Sequence, residues 1–303
     1  MSVKIGISPV AWQNDDLPEL TSDFTMDDAM RDAAEIGYTG IERGRRMPAD
    51  TEGLRAYLDR YGLALCGGWY SGSLLANDVQ TEIDQIRAQV EQFAALDAPC
   101  IVYAECSNTV QGSRLTPVSR RPKLTRDEIV AYGAKLGEVA KWSADQGLPV
   151  VYHHHMGAIV EDGEDIDWLM EGAPEALQLL YDTGHLDMAG GDIMAVLRKW
   201  GGRIGHVHYK NIRADVVAAN RSKDGSFLDA VVAGAFTVPG DPEGSIDFRA
   251  VTDALAKMDY DGWIVVEAEQ DPAKVAPLDA SKRGYAHILD CCEASGLSVE
   301  EKG

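Results

Sequence analysis

The sequence predicts a single α/β domain over residues 1–303, a (β/α)8 barrel. Short apolar or β-branched runs alternate eight times with longer stretches of helical period, as parallel strands with outer helices require. The two longest connections, near residues 107–123 and 212–245, follow strands rather than precede them, and barrels carry their active sites on such loops. Polar residues able to do chemistry gather at strand tails. An open doubly wound sheet competes on periodicity alone; eight units favour closure, and no linker, repeat or low-complexity tract marks a second domain.

The strand candidates are residues 4–8, 39–43, 64–70, 100–105, 149–155, 177–182, 205–209 and 263–267. Helices are predicted at 26–35, 78–95, 126–144 and 192–199, where apolar residues recur three and four apart and acidic residues stand near the start. The loop at 107–123 is rich in Ser, Thr, Pro and Arg, and the one at 212–245 carries Gly225, Gly234, Pro239, Gly240 and Pro242.

Composition narrows the function. Against 28 Lys and Arg stand 49 Asp and Glu, a formal charge of −21 that repels a polyphosphate backbone and argues against nucleic acid. A hydrophobic share of 45% with 25% charged residues is globular and supplies a sizeable core. The start, MSVKIGISPVAWQNDD, has no apolar leader, and no apolar run approaches roughly 18 residues, so neither secretion nor a membrane span is expected. Five cysteines, Cys66, Cys100, Cys106, Cys291 and Cys292, lack zinc-site spacing and read as reduced, mostly buried thiols in a cytoplasm.

Six of the seven histidines lie in three strand tails: His153-His154-His155, Asp182-Thr183-Gly184-His185 and His206-Val207-His208-Tyr209-Lys210. The eighth strand ends in Val266-Glu267-Ala268-Glu269. Alternate strand residues share a face, so His153 pairs with His155, His206 with His208, and Glu267 with Glu269. One set, His153, Asp182, His208 and Glu267, offers two neutral imidazoles and two carboxylates that balance a divalent ion and leave it Lewis acidity. Imidazole favours manganese, cobalt, iron or zinc over magnesium or calcium. A strand-end histidine is often a hydrogen-bonded capping residue; recurrence on four strand ends favours metal. His154 points to the opposite face and is read as supporting structure, and Glu269 as a solvated or supporting carboxylate.

Other strand ends offer Trp12, Glu42 with Arg43, Arg45 and Arg46, Trp69 with Tyr70, and Glu105. Carboxylates and aromatic faces suit a small polyhydroxylated molecule, although the aromatic residues could equally pack the barrel mouth. The three arginines could instead clamp a phosphate. No Walker-type or GxGxxG loop supports a nucleotide.

The stretches Ile5-Gly6-Ile7-Ser8-Pro9-Val10-Ala11-Trp12, Gly40-Ile41-Glu42-Arg43-Gly44, Asp182-Thr183-Gly184-His185, His206-Val207-His208-Tyr209-Lys210-Asn211 and Val266-Glu267-Ala268-Glu269-Gln270-Asp271 resemble the inosose dehydratase branch of the xylose isomerase-like barrels. The resemblance implies a (β/α)8 TIM barrel that dehydrates 2-keto-myo-inositol to a trihydroxycyclohexane-1,2-dione in inositol breakdown. It implies a divalent ion, usually manganese or cobalt, and associates glutathione with the family as a cofactor. The superfamily's Glu, Asp, His and Glu ligands fall on His153, Asp182, His208 and Glu267; His153 is a departure, for which Glu105 is the alternative carboxylate. His155 stands where relatives place a residue that assists catalysis, and His185 where they place a substrate or inner-site residue.

Dehydration beside a ketone removes an α-proton and a β-hydroxyl while charge builds on the ketone oxygen. His155 or a barrel-mouth carboxylate such as Glu42 is expected as acid or base, with Lys210 stabilising charge unless it is an exposed strand-end lysine. Trp12, Trp69, Glu105 and His185 are the expected substrate contacts. Rival readings are a ketose or polyol epimerase or isomerase, and a metal-containing polyol-binding protein without turnover. The expected partner is a small polyol ketone, with neither nucleic acid nor membrane; exposed barrel helices offer surfaces for a homo-oligomer.

Overall fold

The structure, a computed structural model, describes residues 2–300. Its strands are β1 (Ser2–Ile7), β2 (Gly40–Ile41), β3 (Ala64–Leu65), β4 (Trp69–Gly72), β5 (Ile101–Glu105), β6 (Val150–His153), β7 (Leu177–Asp182), β8 (Ile204–Tyr209), β9 (Asn211–Ile212), β10 (Phe236–Thr237), β11 (Trp263–Val266) and β12 (Ser298–Val299). The helices are α1 (Met26–Ile36), α2 (Thr51–Tyr61), α3 (Val79–Ala95), α4 (Arg126–Asp145), α5 (Gly163–Gly172), α6 (Thr183–Ala189), α7 (Ile193–Trp200), α8 (Ala214–Ser222), α9 (Phe227–Ala233), α10 (Phe248–Lys257) and α11 (Pro277–Ser295). Asp78 and Asp192, expected inside their helices, stand one residue outside and cap α3 and α7 through their carboxylates. No helix among the described residues is long and apolar enough to cross a membrane.

The main sheet runs β3-β2-β1-β11-β8-β7-β6-β5-β4 with parallel neighbours throughout. Its two edges, β3 and β4, belong to one extended run of chain, so the sheet closes on itself as a (β/α)8 barrel. The third strand is not continuous over 64–70 as expected. Gly67 takes φ +141°, open to glycine and strained for other residues, and the kink hands the run from one neighbour to the other. Across it, Arg43 N donates to Gly67 O at 2.9 Å and Val102 N to Gly68 O at 3.0 Å.

Strand alternation sorts side chains into two layers. Ile101, Tyr103, Tyr152, Tyr181, Val207, Tyr209, Ile264 and Val266 face outward into the main core beneath the helices. Cys100, Val102, Val151 and Leu180 fill the interior, with Cys66, Trp263 and Val265 beside them. The cysteines are all free, and all but half-buried Cys106 are buried.

The segment 212–245 is not a bare loop. It holds the antiparallel pair β9–β10 and helices α8 and α9, and its Phe227, Leu228, Val231 and Phe236 make a separate apolar cluster with Leu17, Met156 and Met188. That cluster sits over the carboxyl ends of the strands, with the Phe227 ring 5.0 Å from the His155 ring. Apolar spacing in Phe227-Leu228-Asp229-Ala230-Val231 carries the helical signal that the surrounding glycines and prolines mask.

Candidate active site

Strands β6, β7, β8 and β11 are consecutive in the sheet, and their interior faces end in His153, Asp182, His208 and Glu267. One ligand atom from each lies within 4.8 Å of the other three, and all four side chains are buried. Each residue has one polar atom anchored and another facing its partners. His153 Nδ1 is 2.5 Å from the His154 carbonyl and must carry the proton there, leaving a lone pair on Nε2. Asp182 Oδ1 accepts the His185 N–H at 2.8 Å and caps α6, while Oδ2 has no hydrogen-bond partner.

His208 Nε2 is 2.9 Å from Glu42 Oε1, and Glu267 Oε1 is 2.5 Å from Lys210 Nζ. His208 Nδ1 stands 2.8 Å from Glu267 Oε2 and 3.5 Å from Asp182 Oδ2, yet has no aligned hydrogen bond. Burial pulls the His208 imidazole down, but Glu42, Glu267 and Asp182 lift it well above its usual range, so the local field favours a cation. Unpartnered donor atoms of mixed imidazole and carboxylate character, converging in a negative field, fit a divalent ion.

Behind this set, Glu42 Oε1 also lies 3.2 Å from His206 Nε2. Glu42, expected as an acid or base, is thus engaged by two imidazoles and orients His208. His154, on the opposite face as expected, accepts the Asp182 N–H at its Nε2 at 3.3 Å.

Lys210 is fully buried rather than an exposed strand-end lysine. Its Nζ lies 3.0 Å from Glu269 Oε2 and 2.9 Å from His185 Nε2. Burial lowers its pKa, but Glu267, Glu269 and Asp182 more than offset this, so it stays an ammonium. It stands behind the carboxylates, not on the cavity wall.

The barrel mouth opens as a cavity of about 400 Å³ lined by His153, His155, His208, Glu267, Glu269 and Trp69 among others. His155 donates Nδ1–H to the Met156 carbonyl at 2.8 Å, which leaves Nε2 with its lone pair; burial pushes the imidazole down to about 4 and keeps it neutral. Glu269 is 5% exposed, not solvated. Burial drives its carboxyl up to about 7, with Lys210 pulling down and Glu267 pushing up. Its place on the same face as Glu267 agrees with strand alternation; the burial of its carboxyl is what the sequence alone does not show.

Three expected substrate contacts lie elsewhere. Glu105 shares the outward face of β5 with Ile101 and Tyr103 and is fully buried there, bonded to Tyr132 Oη at 2.9 Å and Ser107 N at 3.0 Å. It therefore replaces neither His153 nor a substrate contact. Trp12 is carried past the mouth by the turn Pro9–Ala11 and packs in the outer core, its Nε1 donating to Asp32 Oδ2 at 3.0 Å. His185 lies behind His155, the ring centroids 3.9 Å apart, and does not line the cavity.

A closed parallel barrel with this buried donor set, able to hold a metal ion, at its carboxyl end defines a class of TIM barrel, and the family model for the xylose isomerase-like TIM barrel matches residues 30–291. Over 299 residues the chain is 42% identical to the rhizopine catabolism protein MocC of Rhizobium meliloti, covering 99% of this chain and 91% of that protein. It is 39% identical over 292 residues to the inosose dehydratase of Geobacillus thermodenitrificans, covering 96% and 97%. The chain belongs to the xylose isomerase-like TIM barrel family and, within it, to the family of the inosose dehydratases. A solved structure titled as IOLI protein with a binding zinc atom shares the fold, with TM-score 0.68 and 14% identity over 96% of this chain and 99% of that one.

Proposed function

We propose that this chain is a hydro-lyase that dehydrates 2-keto-myo-inositol, with His153, Asp182, His208 and Glu267 holding a divalent ion. The observation that carries the reading is the four-residue cluster in which each side chain is anchored by one atom and offers another. When bound, the ion supplies Lewis acidity that offsets the negative charge building on the ketone as the α-proton leaves. Manganese or cobalt is the proposed ion, and glutathione has no part in this scheme.

The rest of the chemistry belongs to side chains. His155 takes the α-proton at Nε2, the atom its Met156 contact leaves free. Glu269, whose carboxyl sits near 7, gives its proton to the departing β-hydroxyl, which leaves as water as the carbon–oxygen bond breaks. Lys210 stays charged throughout and fixes the Glu267 and Glu269 carboxylates from behind. Trp69, 36% exposed at the mouth, gives the C–H face of the ring an apolar wall.

The test is metal-depleted protein mixed with 2-keto-myo-inositol, with and without Mn²⁺ or Co²⁺, following the dione by its ultraviolet absorbance. Product only with metal is expected; no product under either ion sinks the reading. The higher identity to the rhizopine catabolism protein, 42% against 39%, favours a second reading in rhizopine catabolism should inosose bind without turnover.

A further inference from the structure

Arg43 follows β2 and lines the mouth cavity, half-buried. In a chain with 49 acidic residues it has no ion pair and no side-chain hydrogen bond to any described residue, and its buried Nε has no acceptor. A partly desolvated guanidinium left unpaired is costly unless something else supplies the oxygen atoms. Its neighbours differ: Arg45 is exposed and 3.6 Å from Asp15, and Arg46 bonds Gln13. The adjacent Glu42 is turned inward to His206 and His208 and is not available.

The sequence makes room for this side chain. A Cβ on Gly68 would stand 2.8 Å from Arg43 Cβ and 2.9 Å from the Phe93 ring, so only glycine lets the Arg43 stem lie there. A second unpartnered donor lines the same cavity. Asn14 is 2% exposed, and its Oδ1 accepts the Asp16 and Leu17 N–H groups, each at 2.9 Å, which leaves Nδ2 without a partner.

We propose that the Arg43 guanidinium grips two adjacent hydroxyl oxygens of the polyol ketone and, with Asn14, sets which polyol the cavity accepts. This deepens the dehydratase reading and rests on it. The guanidinium fork presents parallel N–H donors that match neighbouring oxygens. A phosphate or carboxylate ligand is disfavoured because Asp15, Asp16, Glu42, Glu267 and Glu269 line the same cavity.

The experiment compares metal-loaded wild type with Arg43→Gln and Arg43→Lys in turnover and in calorimetric binding of 2-keto-myo-inositol. Both variants are expected to keep metal content and Tm. Their KM should rise about 10- to 100-fold with kcat within roughly threefold. A deoxy analogue lacking one gripped hydroxyl should be a poorer substrate than inosose for wild type, but nearly its equal for Arg43→Gln. Wild-type turnover with an unchanged KM in both variants overturns the inference and leaves the dehydratase reading intact. Wild-type binding without turnover, weakened in the variants, removes the reading and keeps the polyol grip. Inhibition by inorganic phosphate that vanishes in Arg43→Gln while KM for inosose stays fixed assigns Arg43 to an anion and overturns the proposal. If Arg43→Gln melts early, Arg43→Lys carries the same test with its cation retained.

Discussion

Glu42 Oε1 stands 2.9 Å from His208 Nε2, which holds a proton on the side away from Asp182 and Glu267 and turns Nδ1 toward those two carboxylates. A carboxylate that holds the far nitrogen of a ligand histidine sets both its tautomer and its ring angle. Glu42→Ala is therefore expected to weaken Mn²⁺ or Co²⁺ binding by roughly 10- to 100-fold in a calorimetric titration. Unchanged affinity would show that packing alone orients the ring.

Asp182→Asn keeps a cap acceptor for the His185 N–H but loses the charge on the unpartnered oxygen. Glu267→Gln likewise removes the charge that Lys210 faces at 2.5 Å. Both should lower bound metal, measured by elemental analysis, together with turnover; near-normal values of either would remove these residues from the centre.

His155 offers Nε2 to the cavity and stands outside the four-residue cluster. His155→Ala is expected to lower kcat by about 10²- to 10⁴-fold with metal content unchanged. Loss of metal with activity would reassign the residue to the ligand set.

A pH effect on stability follows from Glu161, outside the four-residue cluster. Burial pushes its carboxyl from 4.5 up to about 7, against the pull of the Gly157 N–H at 2.6 Å and of Arg121. Between these values the folded chain keeps a proton that the unfolded chain has released, so stability is present below about 4.5 and is lost as pH rises toward 7. Glu161→Gln should flatten that fall, which is on the order of 3 kcal/mol by linkage, in denaturant midpoints taken across the window. A variant that follows the wild-type slope would place the dependence on another group.

The sequence made the barrel and the four-residue cluster legible because both depend on strand periodicity, and parity put His153 with His155 and His206 with His208. The same parity, applied to β5, would have turned Glu105 outward with Ile101 and Tyr103; reading strand ends without their faces hid that. Trp12 lies beyond the strand, where a short turn rather than alternation sets direction. Arg43 was legible as a cation but not as an unpaired one, since pairing depends on where Asp15, Gln13 and Glu42 turn in three dimensions. Glu269 read as either a solvated or a supporting carboxylate, because nothing in a strand-end sequence shows that Lys210 is buried against it.

The pairing of β1 has a consequence for how the chain acquires its shape. Lys4 registers with Trp263, so one edge of β1 meets a partner far along the chain, while its other edge meets Gly40 early. During synthesis that edge stays open until Trp263 has emerged. Contacts this distant along the chain slow folding and leave a pairing edge exposed while they wait. A nascent chain halted before Trp263 therefore carries an unsealed sheet, and capture of β1 by a chaperone or by another unfinished copy is the hazard this topology creates.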